Sequence, residues 1–339
     1  MTRNDPLVAQ LRAELAATRP FQRLLTADRL EITGAAIEAR ALLIAALQER
    51  LQRRVAVIVP GDAAIDDFET ALRLFHRDSL RVSAYPSPSL SPYQELSPSL
   101  GVVREEIRAL GMVTSGAVDI LIVPARALFS RLPPRDAFAQ RVVVLNEGNE
   151  IEAHALLQRL VENGFIRTDL VGEAGEFAFR GGILDIFPPN AANPVRVELF
   201  GDTIESLRWF DVETQRSAER AGEVTILPMM HFPLTHGTRS ALGRRLSLDF
   251  MDPLFKRDVA DKIERLNEHG TFPGVENYMA AATESVSFAE LIADRELVLI
   301  EPDQITTSVT KFEGLLRAEY EAAAERGRAV YPPEKITTP

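Results

Sequence analysis

The sequence predicts an α/β fold: a parallel-sheet domain with a small α+β antiparallel-sheet domain inserted in it. Up to about residue 146, strand-like apolar runs alternate with helix-like segments, which is typical of a parallel sheet covered by helices. Between residues 176 and 211, short apolar runs are separated by glycine and proline turns, which indicates an antiparallel meander. Residues 297–300 resemble the run at 55–59, and they would return the chain to the first sheet.

The first part of the chain carries the alternating pattern. Residues 55–59 are a continuous, mostly β-branched run, which is typical of a strand buried on both faces. Pro60 and Gly61 end this run, and Asp62 is suited to cap the helix that follows. The pattern predicts helices over 7–18, 35–53 and 63–76, and strands over 30–34, 55–59, 82–84, 119–124 and 142–145.

A stretch rich in proline and serine interrupts this part at residues 85–98. It contains too much proline for a helix or a central strand. Because tyrosine and leucine recur in it, we expect the stretch to pack across a surface. A disordered linker is the alternative.

After about residue 146 the pattern changes. A helix over 151–163 should end at Gly164. The short strands of the meander are predicted over 176–179, 183–187, 195–200 and 206–211. From about residue 215 we expect a strand over 224–227, helices around 239–268 and 276–293, a strand over 297–300, and a helix over about 308–327.

The composition excludes several classes of function. The 339 residues include no cysteine, which excludes disulfides and thiolate metal sites, and the five histidines lack zinc-ligand spacing. A net charge of −11 disfavours a surface dedicated to nucleic acid. No apolar run approaches the roughly 20 residues that span a bilayer, and no apolar signal-peptide region follows the N-terminus. We therefore expect a cytoplasmic protein with no metal and no membrane partner.

One segment has the context of a phosphate-binding loop, between the strand predicted at 30–34 and the helix predicted at 35–53. Such a loop needs several glycines and a lysine, because backbone N–H groups and an ammonium neutralise the phosphates. This segment has one glycine, no lysine and a glutamate, so we expect it not to bind ATP. It is interpreted as a degenerate phosphate loop, with an ordinary βα turn as the alternative. Its residues are Thr33, Gly34, Ala35, Ala36, Ile37 and Glu38.

The strand predicted at 195–200 suggests a docking surface. Its side chains alternate between the two faces of the sheet, so Arg196 and Phe200 should lie opposite the apolar valines. An exposed aromatic ring beside an arginine on a rigid strand is typical of a binding hot spot. Arg180, before a pair of glycines, lies within reach of the same area. In the alternative interpretation, Phe200 packs under the following turn and Arg196 only pairs with Glu198.

These residues belong to a longer block that resembles a known family. Residues 176–188 (EFAFRGGILDIFP), 196–200 (RVELF) and 204–211 (IESLRWFD) resemble UvrB and, more closely, the N-terminal part of the bacterial transcription-repair coupling factors. The segment 210–217 (FDVETQRS) is similar to the coupling-factor version. The Pro-rich stretch and residues 272–276 (FPGVE) match further family motifs, so the resemblance covers about residues 25–300.

The resemblance implies an organisation and a partner. Residues 1–129 and 215–339 would form a UvrB-like α/β domain, of degenerate P-loop or helicase type and ending in a linker helix, with residues 130–214 inserted as a UvrA-binding domain. The contacts with UvrA would be made by Arg180, Arg196 and Phe200. In the family, RNA polymerase and double-stranded DNA are engaged by further domains, one of them an ATP-driven translocase. We expect this chain to be an N-terminal portion without those domains, cofactor or catalysis, which recruits UvrA and links stalled RNA polymerase to nucleotide excision repair.

Two other functions stay open at this point. A UvrB-like, ATP-dependent protein that processes damaged DNA would need the phosphate-binding lysine, which the loop lacks. A nucleic-acid-binding module acting alone is disfavoured by the acidic charge balance, and strong, salt-dependent binding to duplex DNA would support it.

Overall fold

The computed structural model describes residues 6–26, 30–75, 81–87, 91–94 and 96–338. The N-terminal five residues, the last residue of the helix predicted at 63–76, and residues 88–90 and 95 of the Pro-rich stretch lie outside the described residues. The chain forms two compact units. The first comprises Met1–Pro88, Ser115–Phe129 and Phe288–Gly314, and the second comprises Ser89–Thr114, Ser130–Ser287 and Leu315–Pro339.

The strands are β1 (Val55–Val59), β2 (Val82–Ala84), β3 (Ile120–Pro124), β4 (Arg131–Leu132), β5 (Val143–Asn146), β6 (Ile166–Arg167), β7 (Glu176–Arg180), β8 (Ile183–Ile186), β9 (Val195–Phe200), β10 (Thr203–Phe210), β11 (Ser217–Arg220), β12 (Glu223–Ile226), β13 (Val286–Ser287) and β14 (Glu296–Leu299). The helices are α1 (Pro6–Ala16), α2 (Arg19–Leu24), α3 (Ile37–Leu51), α4 (Ala63–Phe75), α5 (Leu100–Thr114), α6 (Arg135–Ala139), α7 (Ala153–Glu162), α8 (His236–Asp249), α9 (Lys256–His269), α10 (Glu276–Ala282), α11 (Phe288–Leu291), α12 (Pro302–Glu325) and α13 (Pro333–Ile336). Short 3-10 turns cover Ala125–Phe129 and Pro253–Phe255.

The first unit is built on a four-stranded parallel sheet with the order β14-β1-β3-β2. All five residues of β1 and all five of β3 are buried, as expected of strands covered on both faces. Helices α3 and α4 pack on one face through residues such as Ile44 and Phe68. The predicted parallel sheet is confirmed, and so is the return of the chain to it, because β14 pairs with β1.

The strand predicted over residues 30–34 is wrong. These residues belong to no strand, and Leu30 and Ile32 are exposed. A strand is stable where a neighbour supplies hydrogen bonds and one face is buried. In the sheet of this unit, both neighbours of β1 are other strands, β14 and β3. The helix predicted from residue 35 begins at Ile37, so the turn that precedes it does not follow a strand.

The strand predicted at 142–145 forms, as β5, but its place in a parallel sheet is wrong. It pairs antiparallel with β12, in a two-stranded sheet of the second unit. Val143 and Leu145 are buried while Val144 is half exposed. One buried face and one solvated face are typical of an antiparallel pair. A short apolar run such as residues 142–145 does not distinguish a strand of this kind from a strand that is buried on both faces.

The second unit contains a six-stranded sheet with the order β11-β10-β9-β8-β7-β6. The predicted antiparallel meander is confirmed over β7, β8, β9 and β10, and β6 adds to β7 in parallel. The edge strand β11 follows residue 214, the predicted end of the inserted domain, and it pairs with β10. The domain boundaries at 129/130 and 214/215 stay predictions.

Helix α7 covers one face of this sheet, which we call the inner face. Leu156 and Leu160 of α7 share a core with side chains of β5, β7, β8, β9, β10 and β12. The helix ends as predicted, at Asn163 followed by Gly164 with a φ of +90°. Because the inner face is closed by the helix, the opposite face, here called the outer face, is the one left to meet a partner.

Both tyrosines of the Pro-rich stretch are packed, as predicted, whereas Leu96 is exposed. In the first unit, the buried ring of Tyr85 meets Phe288 edge-on, with 4.7 Å between ring centroids. In the second unit, the buried Tyr93 donates its hydroxyl hydrogen bond to the carbonyl of Tyr331 over 3.1 Å. Among the helices of the described chain, none has the length and apolar character that crossing a bilayer requires.

Candidate docking site on the outer face

The outer face of the six-stranded sheet is set by the alternation of side chains along its strands. In β9, Val195 and Val197 are fully buried in the inner-face core, and the intervening Arg196 lies on the outer face. The outer face has a small apolar cluster of its own, which includes Ala178, Phe187 and Phe210. The predicted division of β9 into a core side and an outer side is thus confirmed.

Phe200 ends β9 and is 79% exposed. It pairs with Thr203 of β10 across a two-residue turn whose first residue, Gly201, has a φ of +62°. Glycine adopts this left-handed conformation without steric cost, so the turn can be tight. The alternative in which Phe200 packs under the turn is wrong, because most of its ring surface is in solvent.

Arg180 is exposed at the end of β7 and leads into the turn made by Gly181 and Gly182. Both glycines have positive φ, +55° and +89°, as a two-residue type I′ hairpin requires. Arg180 pairs with Ile183 of β8, and Ile183 pairs in turn with Glu198 of β9. Glu198 lies two residues before Phe200 along β9. Arg180 is therefore on the same face and at the same end of the sheet as Phe200, about 10 Å to the side, which is two strand spacings.

Arg196 makes a forked ion pair with Asp185, its partner across β8 and β9. Its Nε and one terminal nitrogen donate to the two carboxylate oxygens over 2.7 and 2.8 Å. The guanidinium also lies 4.8 Å from the centroid of the Phe210 ring. The hydrogen bonds to Asp185 raise the pKa of Arg196 above its ordinary value. With only 21% of its side chain exposed, Arg196 is a fixed, partly covered cation rather than a free one.

Glu198, the partner that the alternative interpretation gave to Arg196, accepts a hydrogen bond from the hydroxyl of Ser206 over 2.6 Å instead. The structure thus brings Arg180, Arg196 and Phe200 to one face, and it adds Asp185 to the group. The sequence reasoning missed Asp185. It could have been recognised as a charged residue within an apolar strand, because such residues are rarely buried unless their charge is paired.

The predicted degenerate phosphate loop lies in the first unit. Gly34 has a φ of +73°, and Ala36 precedes the first residue of α3. The carbonyl of Ala35 accepts a hydrogen bond from Arg40 over 2.8 Å, and the same guanidinium lies 2.6 Å from the carboxylate of Glu301. The exposed Glu38 in the first turn of α3 places negative charge where a phosphate-binding loop presents positive potential.

Metal ligands do not assemble in the described part of the chain, where no group of three or more histidine or carboxylate side chains converges. Of the three residues predicted for the site, Phe200 thus presents an exposed ring, Arg180 an exposed guanidinium and Arg196 a guanidinium held by Asp185. Groups of this kind are typical of binding hot spots and of charge-assisted hydrogen bonding.

Comparisons with known proteins agree with this description. Residues 143–232 match the family described as the UvrB interaction domain. The chain is 29% identical to the transcription-repair-coupling factor of Escherichia coli K12 over 335 residues, which are 96% of this chain and 28% of that protein. It is 33% identical to the factor of Myxococcus xanthus, over 65% of this chain and 19% of the relative, and 30% identical to that of Bacillus subtilis, over 62% and 20%.

These similarities confirm the resemblance that the motifs predicted. The match to the UvrB interaction domain contains β5 to β12, and with them the whole outer face. The chain spans less than a third of the length of each of these relatives.

Proposed function

We propose that this chain, which is similar to part of the transcription-repair coupling factors and contains a match to the UvrB interaction domain, recruits UvrA to sites of stalled transcription. The docking surface is the outer face of the six-stranded sheet, carried by the inserted domain proposed at residues 130–214. RNA polymerase and double-stranded DNA would be engaged by other parts of the coupling factor. The role of this chain needs no catalysis and no cofactor.

One observation carries the proposal: a phenylalanine ring that is 79% exposed at the end of a rigid strand. Burial of a phenylalanine side chain in a core would contribute about 1.5–3 kcal/mol to the stability of the fold. The exposed Phe200 does not make this contribution. A partner that covers the ring recovers that free energy on binding. The arginines on the same face supply charge-assisted hydrogen bonds, which fix the orientation of the partner.

The two arginines would act in different ways. Arg180 is exposed, so it would meet the partner at the edge of the surface. Arg196 is held by Asp185, by the ring of Phe210 and by the carbonyl of Gln215. Its guanidinium is therefore already ordered, and it would contact the partner without the entropy cost of ordering a long side chain.

The first unit would serve as a scaffold in this proposal. Its parallel βα order is that of nucleotide-binding proteins, and we infer that it is a degenerate P-loop fold whose loop has lost the lysine and gained Glu38. UvrA binding by this chain should therefore have the same affinity with and without added ATP. An affinity that rises with ATP, together with turnover of ATP by the chain, would favour the UvrB-like alternative.

The test is a calorimetric titration of UvrA into the purified chain and its variants. Phe200→Ala and Arg180→Ala should each weaken binding by about 1–4 kcal/mol, as hot-spot residues do. The matched controls are Met251→Ala, which removes a side chain that is 78% exposed in the same unit, and Arg244→Ala, which removes an exposed arginine from α8. Both controls should bind as the unchanged chain does. Full affinity in the Phe200 and Arg180 variants would remove the assignment of the site.

Arg196 needs a different comparison, because Arg196→Ala leaves the carboxylate of Asp185 buried without its partner and costs stability. Asp185→Asn keeps the guanidinium but removes the charge that holds it. If Arg196 contacts UvrA, the Arg196 variant loses more affinity than Asp185→Asn does at equal loss of stability. Equal losses of affinity would assign Arg196 a structural role only.

A further inference from the structure

Three arginines form a row across the outer face, at positions paired directly from strand to strand. Arg208 of β10 lies opposite Arg196 of β9 on one side and opposite Arg220 of β11 on the other. Residues paired in this way project to the same face with their Cβ atoms about 5 Å apart. Leu207 and Trp209, which flank Arg208, pack on the inner-face core, so Arg208 points outward.

The two ends of the row are neutralised within the chain. Arg196 is bound by Asp185, and Arg220 donates to the carboxylate of Glu147 over 2.8 Å. This hydrogen bond is the main reason why the pKa of Glu147 is lowered. The backbone N–H of Leu207 lowers it further, and the charge of Arg208 makes a smaller contribution.

The central arginine is not neutralised in the same way. Arg208 is exposed, and within the described part of the chain it makes no hydrogen bond and no ion pair at contact distance. Like charges at paired positions of a sheet repel one another. The two carboxylates that bracket the row, Asp185 and Glu147, are already engaged by the neighbouring arginines. The row therefore presents one guanidinium whose charge is left for an anion from outside the chain.

We propose that Arg208 is a docking residue that binds a carboxylate from an acidic segment of a protein partner. This inference rests on the proposed function and deepens it: the UvrA surface that covers Phe200 would carry an acidic side chain opposite Arg208. Arg208 would extend the docking surface from the sheet end occupied by Phe200 along β10 toward the opposite end of this strand.

Charge favours an acidic protein segment over a nucleic acid. The chain has a net charge of −11, and the two carboxylates that bracket the row would repel a continuous phosphate backbone. A single guanidinium between two paired neighbours fits a single carboxylate, which it can bind through two parallel hydrogen bonds. A nucleic acid would require several free cations along its path.

The experiment is a titration of UvrA with the full chain and with Arg208→Gln, Arg208→Lys and the control Arg244→Gln, at two salt concentrations. Arg208→Gln should weaken binding at least fivefold and reduce the salt dependence, whereas the control should change neither. Lysine keeps the charge but lacks the planar fork, so Arg208→Lys should fall between the two. The thermal unfolding midpoint of Arg208→Gln should equal that of the unchanged chain, which separates loss of contact from loss of fold.

The outcomes distinguish this inference from the proposed function. If UvrA binds and Arg208→Gln binds equally well, the inference is overturned and the proposed function is not. If UvrA does not bind the unchanged chain, the proposed function fails, and an octaglutamate peptide becomes the probe. If the unchanged chain binds the peptide and Arg208→Gln does not, the inference is supported. If both bind the peptide equally, or if neither binds it, the inference is overturned. If Arg208→Gln loses binding to a 20-base-pair duplex but keeps its affinity for UvrA, the row of arginines is assigned to nucleic acid and the inference is overturned.

Discussion

At the scale of single residues, the second unit holds a group of buried titratable side chains apart from the docking surface. Glu106 of α5 and His231 lie side by side, with 3.7 Å between a carboxylate oxygen and the ring Nε2. Burial, followed by the charge of Glu276, raises the pKa of Glu106 to about 7. Burial, followed by the charge of Arg141, lowers the pKa of His231 to about 4. Glu106 is therefore mostly protonated and neutral only below about pH 7, whereas His231 is mostly neutral above about pH 4.

These two shifts act on stability in opposite directions. The folded state binds more protons than the unfolded state between the ordinary pKa of glutamate and about 7, so Glu106 contributes stability that is lost as the pH rises through this window. The folded state binds fewer protons at His231 between about 4 and 6.5, so this residue contributes stability that is gained as the pH rises. Over the shared pH range, the contributions of Glu106 and His231 to the stability of the unchanged chain therefore oppose each other.

Glu106→Gln should remove one of the two opposed contributions. Its free energy of unfolding should rise between pH 4.5 and 6.5 relative to that of the unchanged chain, by up to about 3 kcal/mol at about 1.4 kcal/mol for each unit of pKa shift. Urea denaturation at several pH values measures this. Glu105→Gln, an exposed neighbour on α5, is the control and should leave the pH dependence as it was. Parallel curves for Glu106→Gln and the unchanged chain would contradict the role of Glu106.

At the scale of elements, the hairpin between β7 and β8 holds Arg180 in place. Gly182 has a φ of +89°, and a Cβ at this position would lie 3.1 Å from the backbone oxygen of Leu199. Leu199 donates its N–H to the carbonyl of Gly182 over 2.8 Å, so the turn is also tied to the end of β9 next to Phe200. The turn that follows Arg180 is therefore hydrogen-bonded to the residue that precedes Phe200.

Gly182→Ala should lower the free energy of unfolding by about 1–2 kcal/mol, which is the cost of a left-handed alanine, and the crowding against Leu199 adds to this. It should also weaken UvrA binding, because the turn positions both Arg180 and Phe200. Gly181→Asn is the matched control: Gly181 has open space around a Cβ, and asparagine tolerates this conformation. Equal urea midpoints for the two variants would show that Leu199 does not constrain the turn.

The elements also show what a single sequence can predict. Strands β7 to β10 were predictable because alternating apolar residues and glycine turns coincide there, and β14 because it resembles β1. Strand β11 was missed because Ser217–Arg220 has no apolar alternation and gains its structure by pairing with the edge of β10. The strand expected at residues 30–34 does not form because no neighbour buries Leu30 and Ile32.

The same limit applies to the docking site. The face of Arg196 and Phe200 followed from the alternation along one strand, which is a local property. Asp185 and Arg208 belong to the site through pairing between strands. The register between strands depends on bulges such as the one that places Ser206 opposite Glu198. This register cannot be predicted from the sequence of one strand alone.

At the scale of the whole molecule, the docking surface is built on a core that comes from one continuous part of the chain. Every buried residue of the inner-face core lies between Val143 and Met229. The match to the UvrB interaction domain, residues 143–232, contains all of them. This segment also contacts α5: Arg104 donates hydrogen bonds to the carbonyls of Pro189 and Ala191, and the side chain of Leu227 packs against Gly111.

Residues 143–232 expressed alone should therefore fold cooperatively and bind UvrA with nearly the affinity of the full chain. Ninety residues are within the size at which a single core can support independent folding, and the outer face is complete in this segment.

The matched comparison is a fragment of residues 130–214. It lacks β11 and β12 and, with them, the core residues Ala221, Val224, Ile226 and Met229. It should unfold at a much lower urea concentration, since each large apolar side chain removed from a core costs about 2–5 kcal/mol. Circular dichroism during urea titration and calorimetry with UvrA measure both properties. A broad transition in the 143–232 fragment, or equal stability of the two fragments, would mean that the surface depends on packing beyond this core.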